Sequence, residues 1–409
     1  MRIMVAMLAA LICASCGGGS PTSSADPSSS SDATASSTPS TTTTTSNSSS
    51  TTPPATPPAS PPTTSGSSPS SPVYEVVEIP RLAATGSVTA SGINSQGVVV
   101  GQIETTTAPR AWIYQQSSGA LNELTFDASE DGASASGISD SGTIAGAELG
   151  PPVPGFWTTT GGAMLLTGQY QSFAEAVAAN DNGTIVGNYQ NSGTIGSLPL
   201  VWTAPGYAQS TLPGLPCANC NPTMVTANAV NDAGVIVGSC SYATSNTDGT
   251  SATNGTHAVE WLNGTITDLS GLQGGDSAAY AVNSSGDIAG GSRTSQADGA
   301  PTHAVLFHAG AITDLGTLAG DLDSAANSIN DSGQIVGVSS DAADTQRAFL
   351  YQNGQMYDLN SLIDPSSALA GRVSLQEAVS ISANGWIAVN GTDSRDPGWT
   401  RAFLLIPSP

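Results

Sequence analysis

Few side chains in this sequence are of the types that do acid–base, nucleophilic or metal chemistry. There are three histidines, His257, His303 and His308, and no lysine. His257 and His303 stand at equivalent positions of a repeat in which Arg347 also occurs, so we interpret them as structural or surface residues at strand starts. The sequence contains neither a His-Glu-x-x-His zinc motif nor a Gly-x-Ser-x-Gly nucleophile elbow.

Two short segments resemble parts of known sites. The segment "GDSA" (275–278) resembles the Gly-Asp-Ser of some esterases, but that motif works beside a strand-to-helix turn, and here we predict a β-loop. The segment "AGDLDSA" (319–325) places Asp321 and Asp323 two residues apart, whereas calcium binds six to eight oxygens. The sequence therefore predicts a solvated acidic loop, no metal site and no cofactor, and it assigns no catalytic residue.

The composition favours an all-β fold. Of 409 residues, 46 are Gly and only 10% are charged, and Val, Ile, Ser and Thr are abundant, which is typical of short strands joined by tight turns. The 31 Asp and Glu residues against 8 Arg give a formal net charge of -23. Such a surface repels phosphate groups, so the sequence argues against nucleic-acid binding and against contact with anionic lipid headgroups.

The first residues have the pattern of an export signal. "MRIMVAMLAALICASCGGGS" combines one positive charge with an apolar run shorter than the roughly 20 residues of a transmembrane helix. Its end, "CASCGGGS", resembles a bacterial lipoprotein processing site. That resemblance implies a signal peptide over residues 1–15, a lipid on Cys16 and attachment to the membrane through that lipid. Since Gly17 is not the Asp that retains such lipoproteins in the inner membrane, it implies an outer-membrane lipoprotein exposed to the periplasm or the cell exterior.

Residues 16–72 have the composition of a linker. After the cysteine they are almost entirely Ser, Thr, Pro, Gly and Ala, as in "SSTPSTTTTTSNSSSTTPPATPPASPPTTSG". Such a segment cannot bury apolar surface, so we expect it to be disordered. A coil of this length reaches on the order of 40 Å, which would hold a folded domain away from a surface.

Three further cysteines lie close together in the sequence. Cys217 and Cys220 form "CANC", and Cys240 follows the next turn. Since an exported protein meets an oxidising compartment, we predict one disulfide among the three, with one thiol left over; the sequence does not decide the pairing. Zinc binding by "CANC" would need a second pair of ligands, which the sequence lacks.

Residues 73–409 contain one turn motif seven times. An Asn, Asp or Ser starts the turn, where its side chain can accept hydrogen bonds from the backbone, and a shared Gly can adopt a left-handed conformation, which together predict a type I turn with a Gly bulge. The copies are "INSQGVVVG" (93–101), "ISDSGTIAG" (138–146), "ANDNGTIVG" (179–187), "VNDAGVIVG" (230–238), "VNSSGDIAG" (282–290), "INDSGQIVG" (329–337) and "ISANGWIAV" (381–389).

A second motif follows each turn, and a third follows it in six of the seven repeats, so that one repeat reads as four short strands, the unit of a β-propeller blade. The third strand carries the second motif: "RAWIY" (110–114), "VPGFW" (153–157), "LPLVW" (198–202), "HAVEW" (257–261), "HAVLF" (303–307), "RAFLY" (347–351) and "RAFLL" (401–405). The fourth strand carries the third: "ALNEL" (120–124), "TITDL" (265–269), "AITDL" (311–315) and "QMYDL" (355–359), with weaker copies "AMLLT" (163–167) and "STLPGL" (210–215).

The ends of the repeat region indicate how the repeats are arranged. The seventh repeat stops at "RAFLLIPSP" without a fourth strand, while an unassigned strand, "YEVVEIPRL" (74–82), precedes the first repeat. A ring gains from this division because the N-terminal strand completes the last sheet and leaves no open edge. We therefore predict an all-β, seven-bladed β-propeller over 73–409, closed by its N-terminal strand; β-helices and other solenoids are the alternatives.

The repeated motifs resemble a known family. "HAVLF…AITDLGTLAGDLDSAANSINDSGQIVG" is similar to the HAF-type extracellular repeat, named after its His-Ala-Phe motif, and the resemblance covers nearly all of 73–409. The second and third repeats depart from it, since "VPG" and "LPL" replace His-Ala, and Val389 replaces Gly in the last turn copy. The resemblance implies a β-propeller-like protein that is secreted or held at a surface, and it implies no reaction.

Two function classes remain. The first is a monomeric, non-catalytic cell-surface lipoprotein whose propeller binds a glycan or a protein. The alternative is an extracellular carbohydrate-active enzyme, a glycoside hydrolase or lyase, with acidic residues at one mouth of the propeller. Loops that do not repeat are where binding residues can vary, and the candidates are 240–256, 292–302 and 360–376.

Overall fold

The folded part of the protein is built from β-strands. A computed structural model describes residues 72–81, 86–126, 132–170, 173–191, 196–216, 224–244 and 253–408. These residues contain 28 strands, two short 3-10 helices and no α-helix. The all-β prediction is therefore confirmed. The predicted signal peptide, Cys16 and nearly all of the predicted linker lie outside the described residues.

Apart from β1, the strands follow one another in groups of four along the chain, with a last group of three. β1 is Tyr74–Glu78. Group 1 comprises β2 Val88–Ile93, β3 Val98–Ile103, β4 Arg110–Gln115 and β5 Ala120–Leu124. Group 2 comprises β6 Ala133–Ile138, β7 Thr143–Glu148, β8 Val153–Thr158 and β9 Ala163–Leu165. Group 3 comprises β10 Ala174–Ala179, β11 Thr184–Asn191, β12 Gly196–Thr203 and β13 Ala208–Thr211.

The second half continues the same order with longer strands. Group 4 comprises β14 Met224–Val230, β15 Ile236–Thr244, β16 Thr253–Leu262 and β17 Thr265–Ser270. Group 5 comprises β18 Ser277–Val282, β19 Ile288–Arg293, β20 Thr302–His308 and β21 Ala311–Gly316. Group 6 comprises β22 Asp323–Ile329, β23 Ile335–Ser340, β24 Gln346–Gln352 and β25 Gln355–Asp358. Group 7 comprises β26 Val373–Ile381, β27 Ile387–Asp393 and β28 Arg401–Pro407.

Within every group, neighbouring strands pair antiparallel in chain order. The described strands form six sheets, of which five have four strands and one has eight. The larger sheet arises because Ser197 of β12 and Met224 of β14 form one parallel pair, which joins groups 3 and 4. Each sheet is open. The five four-stranded sheets have a linear strand order, whereas in the larger sheet β13 branches from β12.

The N-terminal strand completes the sheet of the C-terminal strands. β1 pairs antiparallel with β28, with Tyr74 opposite Pro407 and Glu78 opposite Phe403, so the sheet order is β1-β28-β27-β26. Tyr74 is 1% exposed and packs against Leu359 and Leu362 of the segment that precedes β26. Of the predicted strand 74–82, Tyr74–Glu78 therefore pairs with the chain's last strand, while residue 82 lies outside the described residues.

The repeated turns have the geometry that their residues predict. The shared glycines all have φ between 73° and 86°; they are Gly97, Gly142, Gly183, Gly234, Gly286, Gly333 and Gly385. In the first copy the Asn94 carboxamide oxygen accepts the N–H of Val98 at 3.0 Å, and the Gly97 N–H reaches the Asn94 carbonyl at 3.1 Å. A residue with a side chain at the glycine position would be strained.

A second glycine, at the end of the "IVG" motif, permits a close approach of two strands. At Gly337 an added Cβ would lie 1.9 Å from the Ala325 carbonyl oxygen. At Val389, the corresponding position of group 7, a side chain is accommodated, because β26 has an additional β-bulge between Leu375 and Glu377. The bulge explains why the last turn copy departs from the motif.

The core lies between groups rather than inside one of them. The buried apolar side chains form seven clusters, and each combines residues of two neighbouring groups. One cluster joins Val99 and Trp112 of group 1 to Leu404 of group 7. The first strands contact one another in succession from β2 through β6, β10, β14, β18 and β22 to β26, and β26 contacts β2.

Candidate functional site

Every group has two ends that differ in their connections. Because the strands are antiparallel, the turns between first and second strands and between third and fourth strands lie at one end, which we call the turn end. The connections between second and third strands, and those that lead to the next group, lie at the other end, which we call the loop end. The candidate loops 240–256, 292–302 and 360–376 all belong to the loop end, although part of 240–256 lies outside the described residues.

The turn end is held by one repeated hydrogen bond between groups. The buried Asn231 donates its side-chain N–H to the Asn283 carbonyl at 2.8 Å, and its oxygen accepts the Val235 N–H at 2.9 Å. The same inter-group bond runs from Asn94 to Ser139, Asn180 to Asn231, Asn283 to Asn330 and Asn330 to Ser382. Asn384 Nδ2 similarly donates to the Ser95 carbonyl of group 1 at 2.6 Å.

The turns of the seven groups surround one cavity of about 250 Å³. Four of its lining residues are aspartates at the second turn position, and each accepts a backbone N–H of a neighbouring turn at 2.6–2.9 Å; they are Asp140, Asp181, Asp232 and Asp331. The carboxylates therefore bridge adjacent groups, a role that adds to the turn chemistry predicted from the sequence.

Two carboxyl groups on first strands differ from their repeat equivalents, which are small or neutral. Glu175 of β10 accepts a hydrogen bond from Ser136 Oγ at 2.7 Å, and Glu377 of β26 accepts one from Asn327 at 3.3 Å. Desolvation raises the pKa of both carboxyls, although these hydrogen bonds oppose the shift. Neither residue was predicted from the sequence.

At the loop end the repeated His or Arg pairs with the acidic residue of the fourth strand. His257 Nδ1 lies 2.8 Å from Asp268, and His303 Nδ1 lies 2.9 Å from Asp314. The Arg347–Asp358 and Arg110–Glu123 pairs take the same place at 3.3 and 2.6 Å. The interpretation of these residues as structural groups at strand starts is thus supported, and the sequence analysis missed only their partners.

In the His257–Asp268 pair, hydrogen bonds change the pKa of the carboxyl group. Partial burial acts to raise the pKa of the Asp268 carboxyl, but the hydrogen bonds from His257 and from the Ser270 N–H outweigh it and lower the pKa overall. The third histidine, His308, pairs with Asp287 at the turn end. All three histidines therefore contact a carboxylate, and none lies beside a nucleophile in an ion pair or hydrogen bond of the described residues.

A denser ion-pair cluster joins β1 to group 7. Arg372 Nε donates to both oxygens of Asp393 at 3.0 and 2.9 Å, and its Nη2 lies 3.3 Å from Glu78. Arg401, which is 1% exposed, lies 3.8 Å from Glu78 and pairs with Asp396. The hydrogen bonds from Arg372 lower the pKa of Asp393 to about 2. Glu78 therefore holds, for group 7, the place of the fourth-strand acid.

The two segments that resemble known sites are structural. Ser277 of "GDSA" is fully buried, donates to the Ser270 carbonyl and accepts the Ala258 N–H at 2.9 Å. Asp321 accepts a hydrogen bond from Arg347 at 2.7 Å, and Asp323 accepts the Thr302 N–H at 2.7 Å. Within the described ranges no group of three or more His, Cys, Asp or Glu is placed to hold a metal ion.

Of the four cysteines in the site predictions, only Cys240 is described. It is buried opposite Val225, and the Leu215 N–H points to its Sγ at 3.4 Å. Burial raises the pKa of its thiol. Cys16, Cys217 and Cys220 lie outside the described residues, so the lipid attachment and the disulfide stay predictions.

No helix among the described residues is long and apolar enough to cross a membrane. A family model described as a protein of unknown function (DUF3466) matches residues 221–389, which span groups 4 to 6 and most of the first two strands of group 7. No curated protein matches the chain.

Solved structures with similar folds are β-propeller proteins of low sequence identity. The β-propeller domain of the Trilobed protease from Pyrococcus furiosus has a TM-score of 0.52 at 9% identity, with 78% of this chain and 97% of that chain covered. An acylaminoacyl peptidase from Pyrococcus horikoshii has a TM-score of 0.50 at 11% identity, with 75% of this chain and 49% of that chain covered. At these identities the likeness shows a propeller-like fold and nothing about activity.

Proposed function

We propose that residues 73–409 form a seven-bladed β-propeller closed by β1, in which each group of strands is one blade. The observation that supports closure is the pairing of β1 with β28, together with the contact between β26 and β2. The Glu78–Arg401 pair, which corresponds to Asp358–Arg347 in group 6, also supports it. The joined sheets of groups 3 and 4 remain two blades in this proposal, because a single parallel pair connects them.

The protein is, in this proposal, a monomeric outer-membrane lipoprotein with the propeller at the end of a flexible tether. Residues 1–15 are the signal peptide, Cys16 carries the lipid, and the remainder of 16–72 is the disordered linker. The resemblance to the HAF-type repeat supports a location at the cell surface. Mass spectrometry of the mature N-terminus tests this: a diacylglyceryl-modified Cys16 is expected, and an unmodified Cys16 or cleavage elsewhere contradicts it.

The propeller binds a glycan or protein ligand without catalysing a reaction. This proposal is carried by the contrast between the two ends of the sheets: the turn end repeats one hydrogen-bonded turn, whereas the loop end consists of connections that do not repeat. Where a scaffold is uniform and its loops vary, the loops are the part free to acquire binding residues. The candidate nucleophile Ser277 is committed to backbone hydrogen bonds.

One experiment separates binding from catalysis. The purified mature protein is applied to a broad glycan array and, in parallel, to a panel of polysaccharide substrates, and an affinity screen is run against surface proteins. Saturable binding of a glycan or a purified protein without turnover is the expected result. Turnover of any polymer contradicts the non-catalytic proposal, and the absence of all binding contradicts the binding role.

One observation favours the alternative of a carbohydrate-active enzyme. Desolvation raises the pKa of Glu175 and of Glu377, and a raised pKa is the property that suits a carboxyl to act as a general acid. If the substrate panel detects hydrolysis or elimination, Glu175→Gln and Glu377→Gln identify whether either carboxyl is responsible. Loss of turnover in one of these variants, with the fold intact, would establish the enzyme; unchanged turnover would exclude both residues.

A further inference from the structure

The connection between β27 and β28 is held rigidly at both ends. Its first residues are fixed because Asp393 accepts the Arg395 N–H at 2.9 Å and the Asp396 N–H reaches the Asp393 carbonyl at 2.8 Å. The Asp396 carboxylate is in turn paired with Arg401 and, at 3.4 Å, with Arg81. The loop backbone around Asp396 is therefore fixed before any ligand arrives.

The other end of this connection is attached to the segment that leads into β2. The Thr400 N–H donates to Ser87 Oγ at 3.2 Å, and the Val88 N–H donates to the Thr400 carbonyl at 3.0 Å. Residues 394–400, which we call the braced loop, are thus tied to groups 7 and 1 together. A binding loop held in this way loses little conformational entropy when it engages a ligand.

The braced loop nevertheless exposes a tryptophan. Trp399 is 39% exposed and is the one tryptophan among the large exposed apolar residues of the described chain. Four others, Trp112, Trp157, Trp202 and Trp261, are at most 2% exposed. The exposed part of this large aromatic side chain gains nothing from burial, and on an ordered loop it offers a ligand an apolar surface.

The same loop carries the one arginine that stands apart from the others. Six of the seven arginines in the described residues form an ion pair within 4 Å: Arg81, Arg110, Arg293, Arg347, Arg372 and Arg401. Arg395 is exposed and forms no ion pair within that distance in the described part of the chain, although the sequence offers 31 acidic residues. Its guanidinium is available to a ligand.

We infer that Trp399 and Arg395 form a sugar-binding platform on the braced loop, and that its ligand is a pyranose ring carrying a carboxylate, of the uronic-acid class. This inference rests on the proposed binding function and names its site and ligand class. The face of the indole attracts the partly positive C–H groups of a sugar ring. The planar guanidinium of Arg395 supplies paired N–H donors that match a carboxylate.

The surrounding charge limits the ligand to a short or sparsely charged chain. The formal net charge of -23 repels a polyanion, but this repulsion is largely screened beyond about 8 Å at physiological ionic strength. The neighbouring arginines Arg81, Arg372 and Arg401 are balanced by the carboxylates to which they are paired. Arg395 therefore supplies the net positive charge to which one carboxylate can bind. The platform therefore favours single uronic-acid units within otherwise neutral glycans.

The test is calorimetric titration of the mature protein with a trisaccharide that contains glucuronic acid and with its all-glucose counterpart. The wild-type protein should bind the acidic trisaccharide about tenfold more tightly than the neutral one, because one charge-assisted pair is gained. Trp399→Ala should weaken both by about tenfold or more, and Arg395→Ala should abolish the preference. Trp399→Phe, which keeps an aromatic face, should restore most of the affinity.

The matched control is Leu322→Ala, which removes an apolar residue that is 47% exposed at another loop-end connection and should change neither affinity. Thermal melts check that every variant is folded. If the wild-type protein binds glycans but Trp399→Ala binds them equally well, the platform is wrong while the proposed function stands. If neither trisaccharide binds and the screen finds only a protein ligand, the platform is again wrong. If nothing binds in any assay, both fail.

Discussion

The turn end and the loop end of the strands differ in the side-chain contacts that join neighbouring strands and groups. At the turn end, asparagine and aspartate side chains satisfy backbone groups of the next turn, and five copies use the same asparagine-to-carbonyl bond. At the loop end, the partners are charged and vary from His257–Asp268 to Arg401–Glu78. The turn end thus repeats the same bond from a side chain to the backbone, whereas the loop end uses different pairs of charged side chains.

The difference shows where the sequence is free to change. A turn that needs a left-handed glycine and a buried asparagine can vary little without loss of stability. A loop tied down by ion pairs tolerates other residues between its fixed points, as the braced loop does with Arg395 and Trp399. This difference agrees with our proposal that the turn end serves the structure and the loop end serves recognition.

The largest effect is expected at the loop end, from the buried Arg401. Arg401→Ala removes a side chain that is 1% exposed, and it takes one of two arginine partners from both Glu78 and Asp396 where β1 joins β28. The free energy of unfolding should fall by about 3–5 kcal/mol. Urea denaturation measures it, with Arg110→Ala as the control, because the Arg110–Glu123 pair is solvent-exposed and should contribute less than about 1 kcal/mol. Equal losses in the two variants would show that the ion pairs between β1 and group 7 stabilise the protein no more than an exposed pair does.

The next effect concerns the close approach of β22 and β23 at Gly337. Gly337→Ala places a Cβ 1.9 Å from the Ala325 carbonyl oxygen, so β22 and β23 must separate. A loss of about 1–3 kcal/mol is expected in the same denaturation assay. Gly398→Ala is the matched control, since its added Cβ meets nothing within 4 Å. A Gly337→Ala protein as stable as the control would contradict the close packing.

At the turn end a single asparagine should contribute less. Asn231→Ala removes the bond to the Asn283 carbonyl and leaves the buried Val235 N–H without its acceptor. We expect a loss of about 1–2 kcal/mol, with ligand affinity at the loop end unchanged. Hydrogen exchange at Val235 should accelerate. A change in ligand affinity in this variant would argue against the division between the two ends.

The effects of pH have opposite signs in two regions. Arg372 lowers the pKa of Asp393 from its usual 3.8 to about 2, so the stability from this pair is present above pH 3.8 and is lost as the pH falls towards 2. Arg372→Gln should remove this part of the acid sensitivity. Denaturation midpoints measured between pH 2 and pH 5 provide the comparison, and identical profiles would contradict the pairing.

For Glu175 the sign is reversed. Because desolvation raises its pKa in the folded protein, its contribution is greatest at low pH and decreases as the pH rises through the folded-state pKa. Glu175→Gln should therefore be relatively more stable than wild type at pH 7 than at pH 4. A constant stability difference between the two proteins over this range would show that Glu175 is not desolvated.

Much of the fold could be predicted because the same turn and strand motifs occur in most of the repeats. The turn copies, the third-strand motif and the division of the last sheet all follow from residue patterns. The His–Asp partners were also predictable, since His257–Asp268, His303–Asp314 and Arg347–Asp358 are each eleven residues apart. The joining of groups 3 and 4 was not, because it depends on one backbone pair, Ser197–Met224.

The candidate site was harder to predict for a physical reason. Exposure and pairing depend on the fold, so nothing in the sequence distinguishes Arg395 from the arginines that have partners, or Trp399 from the buried tryptophans. Glu175 and Glu377 stand at positions where other copies have small or neutral residues, and this irregularity was the available signal. The candidate loops named from the sequence do belong to the loop end, but the braced loop was not among them.

Closure by the N-terminal strand is the claim from which the loop-end face and its platform follow, and hydrogen exchange of the full mature protein tests it most directly. The amides of Tyr74–Glu78 should exchange as slowly as those of their partner strand, Arg401–Pro407, and Arg401→Ala should accelerate both together. If Tyr74–Glu78 exchanges within seconds, as an unstructured linker does, while Arg401–Pro407 stays protected, the strand does not close the propeller.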